Sequence, residues 1–360
     1  MSVEDKIEEI LRTKAEQVNK HIEKYVPREF KKDSLLFKIS PPRYTLDLKA
    51  LNRTVAEPFW EFLDRGGKRW RPALFLLVCE ALGSDPDEFL DYAVIPEIIH
   101  NGTLIADDAE DSSKLRRGKP CTYELFGLDV AMNLSSTLYF LPMLVVIENS
   151  KKLLPEKANK LYEIFVQEMV NVGLGQAIDI AWHKGTVPPT EVSEEQYLQM
   201  CAYKTGTLAR MAAKMAAVLA GAEEDTVEKI GRFAESVGVA FQIQDDILDL
   251  VGEEFAKGKG GRGMDITEGK LTLMVIHALR KATPQDKEEL TKILSKHTDD
   301  KALRMKAIHI INKYGSIEYA KNLAATMVRQ SWEQVDNLLP PSEAKGTLRL
   351  LANYLIERKL

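Results

Sequence analysis

The stretch IPEIIHNGTLIADDAED, residues 95–111, is the part of the chain that most decides its fold. It runs from a largely apolar segment, typical of a helix in a core, into a cluster of acidic residues. On a helix, Asp107 and Asp111 lie one turn apart on one face, with Asp108 about 100° around the axis. Like charges at this spacing repel each other, so the cluster is expected to need cations. A solvated acidic face is the plainer alternative for one such motif alone.

A second acidic cluster with the same spacing lies in VAFQIQDDILDLV, residues 239–251, where the surroundings are more apolar still. Asp245, Asp246 and Asp249 need partners there, because burying an unpaired charge is expensive. Two such helices can face each other across a bundle. Oxygen ligands with few softer groups nearby suit Mg²⁺, and the calcium-loop pattern is absent from the sequence. The two clusters therefore predict a paired Mg²⁺ site.

The rest of the sequence predicts helix after helix. Signals for helix starts recur at Asp85 before Pro86, at the capping box Ser193–Gln196 and at Thr283 before Pro284. The segments between them are rich in Ala, Leu, Met, Glu and Lys at helical spacing, and alternating β-branched runs are missing. We therefore expect an all-α fold, with residues 1–360 in a single large helical domain and the motifs at about 60–280. Breaks are expected at Phe37–Thr45, Lys184–Pro189 and Lys257–Gly263.

Composition excludes several classes of protein. The 360 residues are 45% hydrophobic and 29% charged, which is ordinary for a soluble globular chain and not for a disordered or fibrous one. A net charge of −5 argues against a dedicated nucleic-acid binder. Cys79, Cys121 and Cys201 stand far apart, so a disulfide framework or zinc site is not expected.

No membrane span is expected either. The most apolar segment, Leu138–Ile147, is short and contains Pro142, whereas a span needs about 18 apolar residues. The N-terminus is charged and lacks the apolar core of a signal peptide. These features predict a cytoplasmic protein.

Basic residues bracket both acidic clusters. GGKRWRP, residues 66–72, joins a glycine pair to three cations at a helix start, a general cradle for oxyanions. Arg116 and Arg117 follow the first acidic cluster closely, and Lys204 and Lys270 add further cations. Any one of these is equally typical of a solvated surface. Together, cations for phosphate beside carboxylates for Mg²⁺ indicate a diphosphate as the ligand.

Five motifs stand in the order found in the trans-isoprenyl diphosphate synthases, the polyprenyl synthetase family, which the chain resembles from about Gly66 to His277. They are GGKRWRP, LIADDAEDSSKLRRGKP, KTGTL, FQIQDDILDL and DITEGKLTL. The resemblance implies a helical bundle of the isoprenoid synthase type with a central cavity for diphosphate and Mg²⁺, and a homodimer. It implies an Mg²⁺-dependent prenyltransferase that condenses isopentenyl diphosphate with an allylic diphosphate, head to tail and trans, to a longer polyprenyl diphosphate.

The resemblance also implies roles for individual residues. Three Mg²⁺ ions that hold the allylic diphosphate would be bound by Asp107, Asp111 and Asp245. The remaining catalytic positions would be Asp108, Asp246, Asp249, Lys204, Thr205 and Gln242, of which Thr205 and Gln242 face the developing allylic cation. The allylic diphosphate would also be contacted by Arg116, Lys204 and Lys270, and Gln176 and Asp179 would line the allylic site. A second, basic pocket for isopentenyl diphosphate would consist of Lys68, Arg71, His100 and Arg117.

Two departures from the family pattern stand out. The loop before Asp265 is one residue longer than usual, so Lys259, Arg262 or Lys257 is the candidate for its phosphate contact. Ala106 replaces a common His before the first Asp, and we have no functional account of this change.

Gly102 and Thr103 lie upstream of the first motif, where family members have the floor of the tunnel for the growing chain. Five residues of helix span about 7.5 Å, comparable with one to two isoprene units. Glycine inside a helix is unfavourable by about 1 kcal/mol relative to alanine, so Gly102 suggests that space is needed there. This predicts a product of C20 (geranylgeranyl) or longer. A local kink without function is the alternative reading, and farnesyl diphosphate synthase the alternative activity.

Two other functions share part of the pattern. A class I terpene cyclase has the same fold and a first aspartate motif, but its second metal motif differs from FQIQDDILD. A regulatory subunit of a heteromeric synthase tends to lose an aspartate motif, whereas this chain keeps both. The sequence therefore favours chain elongation.

Overall fold

The computed structural model describes residues 3–252 and 261–357, and the chain is helical through most of them. The α-helices are Val3–Tyr25, Leu35–Ile39, Leu48–Leu51, Glu57–Leu63, Trp70–Ala81, Leu90–Glu110, Thr122–Phe126, Leu128–Phe140, Leu144–Glu148, Pro155–His183, Glu194–Cys201, Thr207–Leu219, Glu224–Val251, Met264–Thr267, Leu273–Lys281, Pro284–Leu294, Lys301–Lys313, Ser316–Val335 and Glu343–Glu357. Single 3₁₀ turns lie at Pro86–Phe89, Leu141–Met143, Ser150–Lys152, Pro189–Glu191 and Asp336–Leu338, and π-helical turns at Asn52–Ala56 and Ala202–Gly206. The prediction of an all-α fold is confirmed.

The chain divides into two compact units. The first comprises Met1–Gln167, Met211–Gly231 and Asn337–Leu351, and the second Glu168–Arg210, Arg232–Asp336 and Ala352–Leu360. This division does not test the single domain expected for residues 1–360, which stays a prediction.

The core of the first unit surrounds the helix Leu90–Glu110. That helix packs against Val3–Tyr25, Trp70–Ala81 and Leu128–Phe140. Every residue from Tyr92 to Ile99 is buried, so the helix presents apolar side chains on all sides rather than on one stripe. This burial fixes the helix that ends in the first aspartate motif.

The second unit has its own core. The helix Leu273–Lys281 packs on Ser316–Val335, and Phe233 meets Trp332 edge to face at 5.5 Å between ring centroids. The Thr272 side chain accepts a hydrogen bond from the Val275 amide and caps the first of these helices. Buried apolar contacts and a capped helix start therefore both stabilise this unit.

The predicted helix starts are confirmed where the structure describes them. Asp85 accepts a hydrogen bond from the Asp87 amide. Ser193 and Gln196 form both bonds of the capping box. Thr283 accepts a bond from the Asp286 amide at the start of Pro284–Leu294.

Two local features differ from expectation. The break expected at Phe37–Thr45 begins inside the short helix Leu35–Ile39. A small antiparallel hairpin pairs Leu115–Arg116 with Lys119–Pro120. Its two-residue turn has positive φ at Arg117 (54°) and Gly118 (74°), the backbone that such tight hairpin turns require. The hairpin escaped prediction because each strand has two residues, too few for an alternating pattern.

One helical stretch in the described residues, Leu128–Glu148, is long and apolar enough to cross a membrane. It is longer than the segment Leu138–Ile147 that the sequence singled out. Half of it is buried within the protein, and core helices of soluble proteins share this length and composition. The stretch is therefore weak evidence for a membrane span.

Candidate active site

The first aspartate motif lies at the C-terminal end of the helix Leu90–Glu110. Asp107 and Asp108 belong to its last turn, and Asp111 caps it by donating its backbone amide to the Asp107 carbonyl at 2.9 Å. The C-terminal end of a helix carries partial negative charge, so carboxylates there are destabilised unless cations are bound. The fold thus concentrates negative charge at this helix end.

Asp108 has a different surrounding from its neighbours. Its side chain is buried, and its Oδ1 accepts bonds from Arg116 Nε at 2.7 Å and Nη2 at 2.5 Å. Arg116 Nη2 also lies 3.6 Å from Asp107 Oδ2. Burial alone would lower the pKa of Arg116, but the Asp108 carboxylate outweighs it and raises that pKa. Asp108 therefore holds Arg116 in place through a buried ion pair, and its predicted catalytic role stays a prediction.

The hairpin and the glycine pair bring arginines together. Arg69 Nη1 donates to the Gly66 carbonyl at 3.0 Å, and Arg117 Nη1 donates to the same oxygen. A Cβ on Gly67 would lie 2.6 Å from Arg69 Nη1 and 3.0 Å from Arg117 Nη2. The φ of Gly67 is 131°, a backbone conformation that favours glycine, and two guanidinium groups approach the backbone there.

Arg71 and His100 extend this group of cations. Arg71 is buried, and burial lowers its pKa to about 10 although Glu97 opposes the shift. Burial, with Arg71 and Arg117 nearby, also lowers the pKa of His100 well below its ordinary value. The imidazole is neutral at pH 7 and offers one N–H donor and one acceptor. We call Arg69, Arg71, Glu97, His100 and Arg117 the basic pocket.

Sequence reasoning included Arg71, His100 and Arg117 but missed two members of the basic pocket. The buried carboxylate of Glu97 lies 3.2 Å from Arg69 Nη1 and accepts a bond from Asn101. Glu97 lies three residues before His100, one helical turn, and this spacing was an available signal. Lys68, predicted for the same pocket, is partly exposed, and its Nζ lies 3.8 Å from Glu8.

The second unit holds the KTGTL motif on the π-helical turn Ala202–Gly206. Lys204 Nζ lies 2.5 Å from Asp179 Oδ2, and Asp179 is buried. Asp179 thus holds the ammonium group of Lys204, the residue predicted to contact diphosphate. Gln176 lies one turn before Asp179 on the helix Pro155–His183. π-Helical turns are rare and occur mainly at functional sites.

Two glycines allow neighbouring helices to approach this turn closely. A Cβ on Gly175 would lie 2.4 Å from the Lys204 amide nitrogen. A Cβ on Gly238 would lie 2.7 Å from Gly206 Cα. Arg210, just beyond the turn, forms a bidentate pair with buried Glu168 at 2.7 and 2.6 Å. The turn is thus held by backbone packing and by a buried ion pair.

The three aspartates of the second motif lie in different surroundings. Asp246 is buried and accepts bonds from Tyr197 Oη at 2.7 Å and Gln242 Nε2 at 2.8 Å. Asp249 is fully buried and accepts backbone amides of Met264 and Asp265, each at 3.2 Å. Asp246 therefore holds two side chains and Asp249 anchors the segment that begins at Met264, while the catalytic roles predicted for both stay predictions. Asp245 is the partly exposed member.

Tyr197 was missed by sequence reasoning. Burial and the Asp246 carboxylate raise its pKa well above the ordinary value, so its hydroxyl stays protonated and acts as a donor. It lies seven residues before Lys204, two helical turns, and this spacing was the available signal. Thr205, also buried, donates its hydroxyl to Gln242 Oε1 at 2.8 Å, a contact that the sequence did not predict.

The remaining basic candidates lie after the second motif. Lys270 Nζ lies 2.7 Å from Glu268 Oε2. Arg262 Nε donates to the Leu250 carbonyl, which gives it a structural role beside the loop. Lys257 and Lys259 lie outside the described residues, and the Lys259 contact to phosphate stays a prediction.

The space expected beside Gly102 is absent. A Cβ there would lie 3.0 Å from Leu138 Cβ and 3.2 Å from the Ser135 carbonyl oxygen. Ser135 Oγ donates to the Gly102 carbonyl at 2.9 Å. Gly102 therefore serves close packing between the helices Leu90–Glu110 and Leu128–Phe140, which corrects its assignment to the tunnel floor. Thr103 is partly exposed and keeps its predicted role as a proposal.

The donors at the aspartate motifs fit Mg²⁺ in chemical type. Within residues 3–252 and 261–357, no three His, Cys, Asp or Glu side chains are already grouped to hold a metal ion. Asp107, Asp111 and Asp245 supply hard carboxylate oxygens, and Mg²⁺ usually keeps waters and phosphate oxygens in its remaining positions. Each motif therefore offers oxygen ligands of the type that Mg²⁺ prefers.

A family model, polyprenyl synthetase, matches residues 52–311. The chain belongs to this family. It is a prenyl diphosphate synthase, as its motifs predicted. A short chain isoprenyl diphosphate synthase of Methanothermobacter thermautotrophicus is 35% identical over 297 residues, covering 82% of this chain and 88% of the relative.

Solved structures agree with the family fold. The geranylgeranyl pyrophosphate synthetase of Pyrococcus horikoshii superposes with a TM-score of 0.84 at 31% identity over 99% of both chains. The geranylgeranyl pyrophosphate synthase of Corynebacterium glutamicum, complexed with isoprenyl diphosphate and magnesium, has a TM-score of 0.79 over all of both chains. Its identity is 21%, so that likeness concerns the fold. Members of the polyprenyl synthetase family use divalent metals, and isopentenyl and allylic diphosphates are the family's substrates.

Proposed function

We propose that this prenyl diphosphate synthase adds isopentenyl diphosphate to an allylic diphosphate and releases a trans product of C20 or longer. The basic pocket is the observation that carries the proposal. Arg71 is buried and its pKa is lowered to about 10, and burial and Arg69 lower the pKa of Arg117 to about 10 as well. Cations held at such an electrostatic disadvantage favour an anion, and a diphosphate supplies several oxygens for their N–H groups.

The basic pocket also separates the candidate functions. A cyclase needs one diphosphate substrate, which the aspartate motifs would hold with Mg²⁺. A second anion pocket is useful only to an enzyme that takes two diphosphates. Condensation is therefore favoured over the terpene cyclase alternative.

For the metals, we assign Asp107, Asp111 and Asp245 as the residues that bind three Mg²⁺ ions with the allylic diphosphate. The position of Asp107 and Asp111 at a helix C-terminal end supports this assignment, because bound cations relieve the local negative charge. When bound, the ions stabilise the negative charge that grows on the departing diphosphate.

The chain's own residues would then act around that departure. Arg116, Lys204 and Lys270 are assigned to the allylic diphosphate, with Asp108 and Asp179 holding the first two of these cations in place. Lys68, Arg71, His100 and Arg117 would bind isopentenyl diphosphate, so that its double bond attacks the allylic carbon as the carbon–oxygen bond breaks. The proton lost in the last step is assigned to the released diphosphate, so no protein base is required.

Product length is assigned from the relatives and from Thr103. The relative from Pyrococcus is named for a geranylgeranyl product, which is C20. Thr103, which keeps its proposed place at the tunnel floor, carries no large aromatic side chain that would block a longer chain. Farnesyl diphosphate synthase is the alternative activity.

A homodimer in the cytoplasm completes the proposal. Leu128, Met132 and Phe140 are exposed on one face of their helix, and Val166, Val170 and Leu174 recur at four-residue spacing on Pro155–His183. Exposed apolar stripes of this kind are typical of association surfaces. Sedimentation of the purified protein at two concentrations would test the dimer.

The function is tested by an incubation in two forms, which differ in the substrates supplied. Purified protein with Mg²⁺ receives farnesyl diphosphate alone, or farnesyl diphosphate with isopentenyl diphosphate, and the products are read by mass spectrometry. A longer diphosphate in the second form is the expected result. Hydrocarbon in the first form would indicate a cyclase, and no product in either would reject both assignments.

A further inference from the structure

Four side chains of the second unit form a continuous hydrogen-bonded network. Thr205 Oγ1 donates to Gln242 Oε1 at 2.8 Å, Gln242 Nε2 donates to Asp246 Oδ1 at 2.8 Å, and Tyr197 Oη donates to Asp246 Oδ2 at 2.7 Å. Tyr197, Thr205 and Asp246 are buried, and Gln242 is partly so. We call these four residues the Asp246 network.

The charge on Asp246 fixes the direction of every bond in this network. An ionised carboxylate can only accept, so the Gln242 side chain must turn its NH₂ group towards Asp246. Its carbonyl oxygen then faces Thr205. Since a carbonyl can also only accept, the Thr205 hydroxyl must donate its hydrogen to Gln242. Chemistry thus decides an amide orientation that coordinates alone leave open.

The consequence lies at the Thr205 oxygen. With its hydrogen directed to Gln242, the hydroxyl keeps its lone pairs and has no hydrogen left for any other neighbour. We propose that Asp246 is a positioning residue that sets the polarity of Thr205, so that Thr205 presents oxygen lone pairs to the developing allylic cation. This rests on the proposed function, because it assumes that an allylic cation forms beside Thr205.

The two adjacent aspartates of the second motif have different roles in this proposal. Asp245 is assigned to Mg²⁺, whereas both oxygens of Asp246 accept bonds from side chains within the network. Tyr197 is the second positioning residue, since its hydroxyl holds Asp246 from the side opposite Gln242. Loss of Asp246 should therefore weaken the interaction with positive charge and leave the requirement for Mg²⁺ unchanged.

A double-mutant cycle tests the coupling. The variants are Asp246→Asn, Thr205→Val and both together, with Thr205→Ser as the conservative control that retains the hydroxyl. Asparagine has both a donor and an acceptor, so it no longer forces the orientation of Gln242. We expect kcat to fall by about 100-fold in Thr205→Val and by about tenfold or more in Asp246→Asn. The double variant should be no slower than Thr205→Val, and Thr205→Ser, which retains the donating hydroxyl, should recover most of the kcat that Thr205→Val loses.

A binding measurement gives a readout apart from turnover. The probe is an allylic diphosphate analogue with an ammonium nitrogen at the cationic carbon, compared with the uncharged farnesyl diphosphate. Asp246→Asn should lose about tenfold in affinity for the ammonium analogue and keep its affinity for farnesyl diphosphate. Its half-saturating Mg²⁺ concentration should stay within about twofold of wild type.

Several outcomes would overturn the proposal. They are multiplicative losses in the double variant, equal losses of affinity for both probes, or a tenfold rise in the Mg²⁺ requirement of Asp246→Asn. If Asp246→Asn does not fold, Tyr197→Phe tests the same network by removing one bond, with an expected loss in kcat of several-fold and the same selectivity between probes. A wild-type protein without condensing activity would instead reject the proposed function.

Discussion

A Cβ atom on Gly175 would lie 2.4 Å from the backbone nitrogen of Lys204. No real contact of this kind is so short, so the helix Pro155–His183 and the π-helical turn Ala202–Gly206 reach their separation only because residue 175 lacks a side chain. A contact between two backbones leaves little room for either to move, because protein interiors are packed as densely as crystals of small molecules. The position of Lys204 and Thr205 is thereby tied to a glycine that contacts neither side chain's functional group.

We predict that Gly175→Ala lowers kcat by about tenfold or more, since the added methyl displaces the turn that carries Lys204. It should also lower the free energy of unfolding by about 1–3 kcal/mol through overpacking. Urea unfolding and steady-state kinetics measure the two effects. Gly346→Ala is the matched control, because its helical position has nothing within 4 Å of the added Cβ. Normal kinetics in Gly175→Ala would contradict the positioning role.

Removing the proposed metal ligands should abolish turnover without unfolding the chain. Asp107→Ala and Asp245→Ala are each expected to lower kcat by about 100-fold or more, because the departing diphosphate loses charge stabilisation. Circular dichroism should be unchanged. Asp299→Ala, at an exposed aspartate far along the chain, is the control and should be fully active. Mg²⁺-dependent condensation near the wild-type rate in either variant would reject the metal assignment.

Replacing Arg71 should stabilise the folded protein and weaken substrate binding. Its buried guanidinium lowers stability, so Arg71→Met is expected to raise the free energy of unfolding by about 1 kcal/mol or more. The same change should raise KM for isopentenyl diphosphate by about 100-fold, since the diphosphate loses a charged donor. Arg53→Met, at an exposed arginine, should change neither quantity appreciably. A variant that is less stable and binds normally would contradict the assigned role.

His100 should make stability depend on pH below its ordinary pKa. Burial and the neighbouring arginines hold its pKa in the folded protein well below 6.5, so above pH 6.5 the histidine is neutral in both states and its contribution is complete. As pH falls below 6.5, the unfolded chain takes up a proton that the folded protein refuses. The free energy of unfolding then declines by up to about 1.4 kcal/mol per pH unit.

The comparison of His100→Gln with wild type isolates this effect. Urea unfolding between pH 7.5 and 5.5, without phosphate or diphosphate in the buffer, should show a smaller decline for the variant. All other titrating groups contribute to both curves and cancel in the difference. Parallel curves would show that His100 is protonated equally in the folded and unfolded states.

Product length should respond to Thr103 and not to Gly102. Thr103→Phe is expected to shift the products to shorter chains by filling the proposed tunnel floor. Gly102→Ala should lower the free energy of unfolding by about 1–3 kcal/mol, since its Cβ would press on Leu138, and should leave the product distribution unchanged. Mass spectrometry of the products decides both. Unchanged products from Thr103→Phe would place the chain-length determinant elsewhere.

The sequence by itself determined the helical fold, the helix starts and the chemistry of the site. Capping at Ser193 and Thr283 depends on neighbours within four residues, and the aspartate spacing depends only on the helical repeat. The same is true of the cations near each motif. Local periodicity is enough for such features, because it needs no knowledge of what lies across the fold.

Only the tertiary structure decided which residues of each motif face inward. The sequence named Asp245, Asp246 and Asp249 together as catalytic candidates, but packing placed the Asp246 carboxylate against Tyr197 and Gln242. Packing likewise brought Gly102 into close contact with Leu138, where the sequence predicted open space. It also placed the Glu97 carboxylate beside Arg69. The physical reason is that a helix fixes which residues share a face, whereas the neighbours packed against that face come from distant parts of the chain.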